Sequence, residues 1–166
     1  MHAITFTFIL SGLFTATIAA RAVTTTPPFE VTRAKIHQVQ GCNTTFEFMV
    51  YDPDPLTNAT AKCSYTWKTG SSAYPQAEYS PCSNSSFAWN MASYEDIYSF
   101  VLGIEHVFTD PAIGAYPYDE VTNFGKANVS TPDSLWCIAD DEQTLCEQHV
   151  NVTVKAPIYA TIAKRR

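Results

Sequence analysis

The chain has 166 residues, with 16 Asp and Glu against 10 Lys and Arg, for a formal charge of −6. Charged residues make up only 16% and aromatics 13%, where an average soluble chain carries roughly 25% charged residues. So apolar and aromatic a chain is not disordered, its length suits one domain, and the absence of a basic stripe argues against nucleic-acid binding, which needs clustered Lys and Arg.

Residues 4–20 form an uncharged, largely apolar run, followed by Ala20-Arg21-Ala22. The run is shorter than the roughly 20 apolar residues of a membrane span. It predicts a signal peptide over residues 1–22, cleaved after Ala20 or Ala22. Residues 23–166 are then a secreted domain with a basic tail, Lys164-Arg165-Arg166. Between Arg21 and that tail stand six basic and sixteen acidic residues, so the body is acidic. No second apolar segment and no hydrophobic C-terminus follows, which predicts release rather than membrane anchoring.

After a flexible lead-in from Thr24 to Pro28, the pattern has period two, the mark of strands. Phe29, Val31 and Arg33 alternate with Glu30 and Thr32, in a run reaching Val39. Phe46, Phe48 and Val50 alternate with Glu47, Met49 and Tyr51, until Asp52-Pro53-Asp54-Pro55 breaks the strand. Ala61, Cys63, Tyr65 and Trp67 form the next set, and Gly70 to Pro81 reads as loop. Phe87 to Asn90 is a short strand, and Ser93 to Tyr98 has room for one helical turn.

Phe100, Leu102, Ile104, His106 and Phe108 define the clearest strand, apolar on both faces and so central in its sheet. Thr109-Asp110-Pro111 ends it, and Ala112 to Asp119 is a long turn. Residues 124–130, 135–138, 149–155 and 158–163 offer four more strands. Eight or nine short strands with frequent turns predict a single-domain, all-β antiparallel sandwich or barrel.

The cysteines are Cys42, Cys63, Cys82, Cys137 and Cys146. Two bridges with one residue left over can form in fifteen ways, five choices of the odd residue with three pairings each. Local pairing favours Cys63–Cys82 and Cys137–Cys146, and loops of this size stabilise by roughly 3 kcal/mol each. Cys42 is then unpaired, which in a secreted chain points to an interchain bridge, as in a homodimer, or to a free thiol. Asn43, Asn58, Asn84, Asn128 and Asn151 each begin an N-x-Ser/Thr sequon, a glycan acceptor on a secretory route.

No G-x-S-x-G, H-E-x-x-H, glycine-rich phosphate loop or C-x-x-C occurs. His37, His106 and His149 lack metal-ligand spacing, and His106 reads as a satisfied core or edge histidine. Acidic groups fall at Asp52/Asp54, Glu95/Asp96, Asp119/Glu120 and Asp140-Asp141-Glu142, where turn chemistry is the commoner use. Neither an enzyme nor a cofactor is expected. Tyrosines are plentiful, among them Tyr65, Tyr74, Tyr79, Tyr94, Tyr98, Tyr116 and Tyr118, and several sit in predicted loops, where they suit protein recognition or cover the ends of a β core.

Several segments carry a resemblance. They are Phe46 to Val50, Cys63-Ser64-Tyr65, Tyr79 to Trp89 with its Cys82-x-x-x-x-Phe87 run, His106 to Pro111, Trp136-Cys137, Cys146, and Val150 to Val154. Across most of residues 29–155 the chain resembles the fungal small secreted proteins of the Alternaria major allergen family. The resemblance implies a β-barrel with two hairpin-type disulfides, mapping to Cys63–Cys82 and Cys137–Cys146. It also implies a non-enzymatic role in the host apoplast, as an allergen, an elicitor or a virulence effector that binds a plant defence protein such as a thaumatin-like protein. The founding allergen dimerises through an N-terminal cysteine, whereas Cys42 follows the first strand here. Two other readings compete: a hydrolase acting on cell-wall polysaccharide through paired carboxylates, and a carrier of a small apolar ligand.

Overall fold

The computed structural model describes residues 26–164. The expected signal peptide, Arg165 and Arg166 lie outside the described residues. Eleven strands are formed among those described: β1 (Phe29–Val39), β2 (Asn43–Asp52), β3 (Ala59–Lys68), β4 (Ser80–Pro81), β5 (Phe87–Asp96), β6 (Ser99–Thr109), β7 (Glu120–Ser130), β8 (Leu135–Ala139), β9 (Gln143–Gln148), β10 (Val154–Ala156) and β11 (Ile158–Ala163). They build two antiparallel sheets. The first runs β3-β2-β1-β9-β8 with β10 also on β1, and the second runs β11-β7-β6-β5-β4. The sheets do not close into a barrel, so the sandwich is the form adopted. β6 is the middle strand of the second sheet, as its two apolar faces require.

The alternating side chains meet between the sheets. Phe46 and Phe48 of β2 face Trp89 of β5 and Phe100 of β6, with ring centroids 5.3–5.4 Å apart. Edge-to-face packing of this kind adds about 0.5–1.5 kcal/mol per pair beyond the burial itself. The interior that a ligand carrier would keep open is filled by these rings.

Both favoured disulfides are present, Cys63–Cys82 and Cys137–Cys146, and Cys42 is free and exposed. Cys63–Cys82 joins the edge strand of one sheet to the end of β4 at the edge of the other. Cys137–Cys146 links directly opposed residues of β8 and β9.

Four readings of the sequence need correction. Ser93 to Tyr98 holds no helical turn: β5 runs on to Asp96, whose Oδ1 accepts the N–H groups of Tyr98 and Ser99 at 2.7 and 3.0 Å and closes a hairpin. Residues 149–155 are not one strand. The chain turns there, with Asn151 at φ 65°, and only Val154–Ala156 pairs. Gln143–Gln148, for which the sequence offers no strand, is a full strand that contains Cys146. Finally, the alternation of β1 breaks at Arg33, which sits at φ 55° in a bulge between Thr32 and Lys35.

That bulge lets β1 serve two partners on one side, β10 at Phe29–Val31 and β9 at Lys35–Val39. The buried Gln148 amide spans the gap. Its Oε1 accepts Ala34 N–H at 2.9 Å, and its Nε2 donates to Val31 C=O and Val152 C=O at 3.1 and 2.9 Å.

Candidate functional site

Several of the carboxylates have structural employment. Asp54 Oδ1 accepts Leu56 N–H, Asp110 Oδ1 accepts Ala112 N–H, and Asp140 Oδ1 accepts the N–H groups of Glu142 and Gln143. Each is the local turn bond that aspartate favours. The backbone donors of Glu142 and Gln143 hold the Asp140 carboxyl below its ordinary range. Asp52 and His106 are buried and bonded to each other at 2.7 Å. His37 Nε2 pairs with Gln143 Oε1 at 2.8 Å, and His149 Nε2 with Pro132 C=O at 2.9 Å. The three histidines thus stand on separate partners. Among the described residues no three His, Cys, Asp or Glu groups gather as a metal site.

The sequon asparagines are spread over the surface. Asn43, Asn84, Asn128 and Asn151 are exposed, at the start of β2, before β5, on β7 and in the β9–β10 turn. Asn58 is exposed too, at φ 40°, and accepts the Tyr51 hydroxyl at 2.8 Å. Cys42 lies beside Asn43 in the β1–β2 turn.

The tyrosines separate into two groups. Tyr74 and Tyr94 pack on each other at 4.8 Å and on Trp67 at 5.9 and 6.2 Å. Burial pushes the Tyr94 phenol up to about 12, with Asp96 and Tyr74 adding to it. Tyr79 lies against Phe124 at 6.2 Å; burial and its hydrogen bond with Tyr159 raise it to about 12 as well. These phenols stay neutral and serve packing. Tyr65, Tyr98 and Tyr116 are exposed, at 38%, 39% and 87%.

One of the exposed tyrosines borders a cleft. The segment from Ser72 to Ser80 arches away from β3 and encloses an open cleft of about 460 Å³ lined by Tyr65, Tyr74, Pro75, Gln76, Glu78 and Tyr79. The arch is fixed at its middle. Met91 N–H donates to Pro75 C=O at 2.7 Å, and Asn90 Nδ2 donates to Gln76 C=O at 2.9 Å. Asn90 can lie flat over β6 because its neighbour is Gly103, where a Cβ would come 2.2 Å from Asn90 Oδ1.

Tyr65 also lines a second depression of about 320 Å³ on the outer side of the first sheet, with Lys35, His37, Thr45, Glu47 and Thr66. The two hollows therefore adjoin at Tyr65. The run Gly70 to Pro81 reads as a loop from its composition, but its fastening to Asn90 and Met91 has no local signal. No protein-family model, curated protein or solved structure matches this chain.

Proposed function

We propose that this chain is a secreted, non-enzymatic binding protein of fungal effector or elicitor type that engages an extracellular plant defence protein in the apoplast. The observation that carries this reading is the paired hollow centred on Tyr65, held open by an arch fastened to the second sheet. Exposed tyrosine next to a rigid concavity is what hot spots of protein interfaces use, since a ring buries much area and orders few torsions. The two disulfides suit an oxidising compartment, and the leader-like residues 1–22 and five sequons agree with secretion. The order of cysteines and aromatics supports kinship with the Alternaria allergen family, and within that kinship a thaumatin-like protein is the partner class to test first.

The hydrolase alternative has less behind it, since Asp52 is buried against His106 and Asp54, Asp96 and Asp140 are occupied by local turn bonds. The experiment is retention from plant extracellular fluid on the immobilised, oxidised protein, with identification by mass spectrometry. Retention of one protein by the parent and its loss from Tyr65→Ala supports the reading. Equal retention by both forms, or none by either, overturns it.

A further inference from the structure

The β2–β3 ladder runs without irregularity from Asn43↔Lys68 to Asp52↔Ala59. In such a ladder alternate residues turn both backbone groups toward the partner strand and the others turn both away. Two bonds fix which set is which. Thr69 N–H donates to Cys42 C=O at 3.0 Å, in continuation of the pairing with β2. Lys62 N–H donates to Ser83 Oγ at 2.9 Å, and Lys62 C=O accepts Ser83 N–H at 2.8 Å, on the opposite side. The even-numbered residues of β3 therefore direct their backbone groups outward.

Lys62 is covered by Ser83 beside the Cys63–Cys82 staple, and Lys68 C=O is taken by Ser71 N–H at 3.0 Å. Between them Ser64 and Thr66 keep their outward N–H and C=O groups without a hydrogen bond among the described residues. Residues 64, 65 and 66 are all exposed. This open edge also borders the cleft, because Tyr65 stands between its two residues and lines the wall.

We infer that the Ser64–Thr66 edge of β3 takes an extended segment of the partner protein as an added strand, alternate side chains of that segment entering the cleft under the 72–80 arch. The inference rests on the binding reading above and names the form of the ligand. Two donors and two acceptors in one line repeat every second residue, about 6.6 Å apart. A β-strand backbone has that repeat, and strand addition draws its affinity from it. The cleft sets the side chains: Tyr65, Tyr74 and Pro75 offer an apolar wall, and Glu78 has no ion pair among the described residues. The added segment therefore carries an apolar residue and, two places away, a Lys or Arg toward Glu78.

The test uses phage-displayed random heptapeptides selected on the full oxidised protein. A selected peptide is then synthesised with N-methyl groups on one alternate set of its amides, and separately on the other. Strand addition predicts that one set lowers affinity by about tenfold or more, through loss of two backbone bonds, while the other leaves it nearly unchanged. Thr66→Pro removes the outward N–H without touching the β2 ladder, a place where an edge strand tolerates proline. It should lower affinity similarly, whereas Thr66→Ala should not.

If Thr66→Pro fails to fold, Ser64→Pro and the N-methyl pair carry the same test. Equal tolerance of both methylated sets, undiminished binding by the folded proline variants, or no selected peptide overturns the inference. Retention of one extracellular protein by parent and Thr66→Pro alike overturns strand addition and leaves the binding reading standing. Peptide capture with no protein retained does the reverse.

Discussion

Asp52 Oδ2 stands 2.7 Å from His106 Nδ1, and this bond ties the end of β2 in one sheet to β6 in the other. Both residues are buried, and the imidazole is stacked on Phe87 with ring centroids 3.8 Å apart. Asp52 Oδ1 accepts Asp54 N–H at 3.0 Å, so the same carboxylate also shapes the turn that leaves the strand.

Burial pushes the Asp52 carboxyl up, but the His106 hydrogen bond and the Asp54 N–H together hold it below its ordinary 3.8. A carboxyl lowered on folding contributes stability above its unfolded pKa and loses it as pH falls through the folded one. Asp52→Asn should cost about 1.5–3 kcal/mol near neutral pH, since it replaces a carboxylate that accepts from both His106 and Asp54 N–H with a neutral amide. The gap between parent and variant should narrow below about pH 4, as Asp52 takes up its proton. Thermal unfolding of both proteins across the acid range checks this, and a gap independent of pH would show that the carboxylate charge is not the source.

Gln148 is the second buried polar device. Replacing it with Leu keeps the volume but strands Ala34 N–H and Val31 C=O at the bulge of β1. Leaving buried backbone groups unpaired costs about 1–3 kcal/mol each, so the variant should lose about 2–6 kcal/mol. Denaturant unfolding measures the loss. Amide exchange should place it locally, with Ala34 N–H losing protection.

The inward rows of β2, β3 and β6 are legible in the sequence because each holds strict alternation over at least three apolar or aromatic residues: Phe46, Phe48 and Val50; Ala61, Cys63, Tyr65 and Trp67; Phe100, Leu102 and Ile104. β9 is not legible. Gln143-Thr144-Leu145-Cys146-Glu147-Gln148 is mostly polar, and it is a strand because β1 and β8 pair with it on either side. The bulge at Arg33 is hidden for the same reason, since the amide that satisfies the backbone beside it belongs to Gln148, 114 residues from Ala34. Of the cleft, only the tyrosine-rich composition shows in the sequence. Tyr65 belongs to the inward series of β3, but it sits where the sheet edge opens, so its exposure follows from tertiary position. Tyr74 and Tyr94 look like equal candidates until Trp67 is seen to bind both.

Gly103 tests the fastening of the arch. A methyl group there would meet Asn90 Oδ1 at 2.2 Å and must displace the amide that holds Gln76. Gly103→Ala should therefore destabilise by about 1–3 kcal/mol, the usual cost of overpacking. Asn90→Ala removes the obstacle together with the bond to Gln76. The double variant should be more stable than the sum of the single losses predicts, because the two changes share one contact. Strict additivity in unfolding free energies would place the clash elsewhere.

The two groups of tyrosines should respond oppositely to truncation. Tyr94 packs on Trp67, Tyr74 and Phe100, so Tyr94→Ala opens a void in that cluster and should cost about 3 kcal/mol or more. Tyr65 makes none of these ring contacts and is exposed at 38%, so Tyr65→Ala should change stability by about 1 kcal/mol or less. Its cost should fall on partner binding instead, where a central ring is worth about 2 kcal/mol or more. Measuring unfolding free energy and retention of the extracellular partner on the same two variants separates the roles. Tyr94→Ala should lose stability, and any binding it loses should return when the assay is cooled to where it is folded. Tyr65→Ala should stay folded and lose the partner at every temperature. If Tyr65→Ala instead unfolds as readily as Tyr94→Ala, the ring belongs to the core and the cleft has lost its proposed anchor.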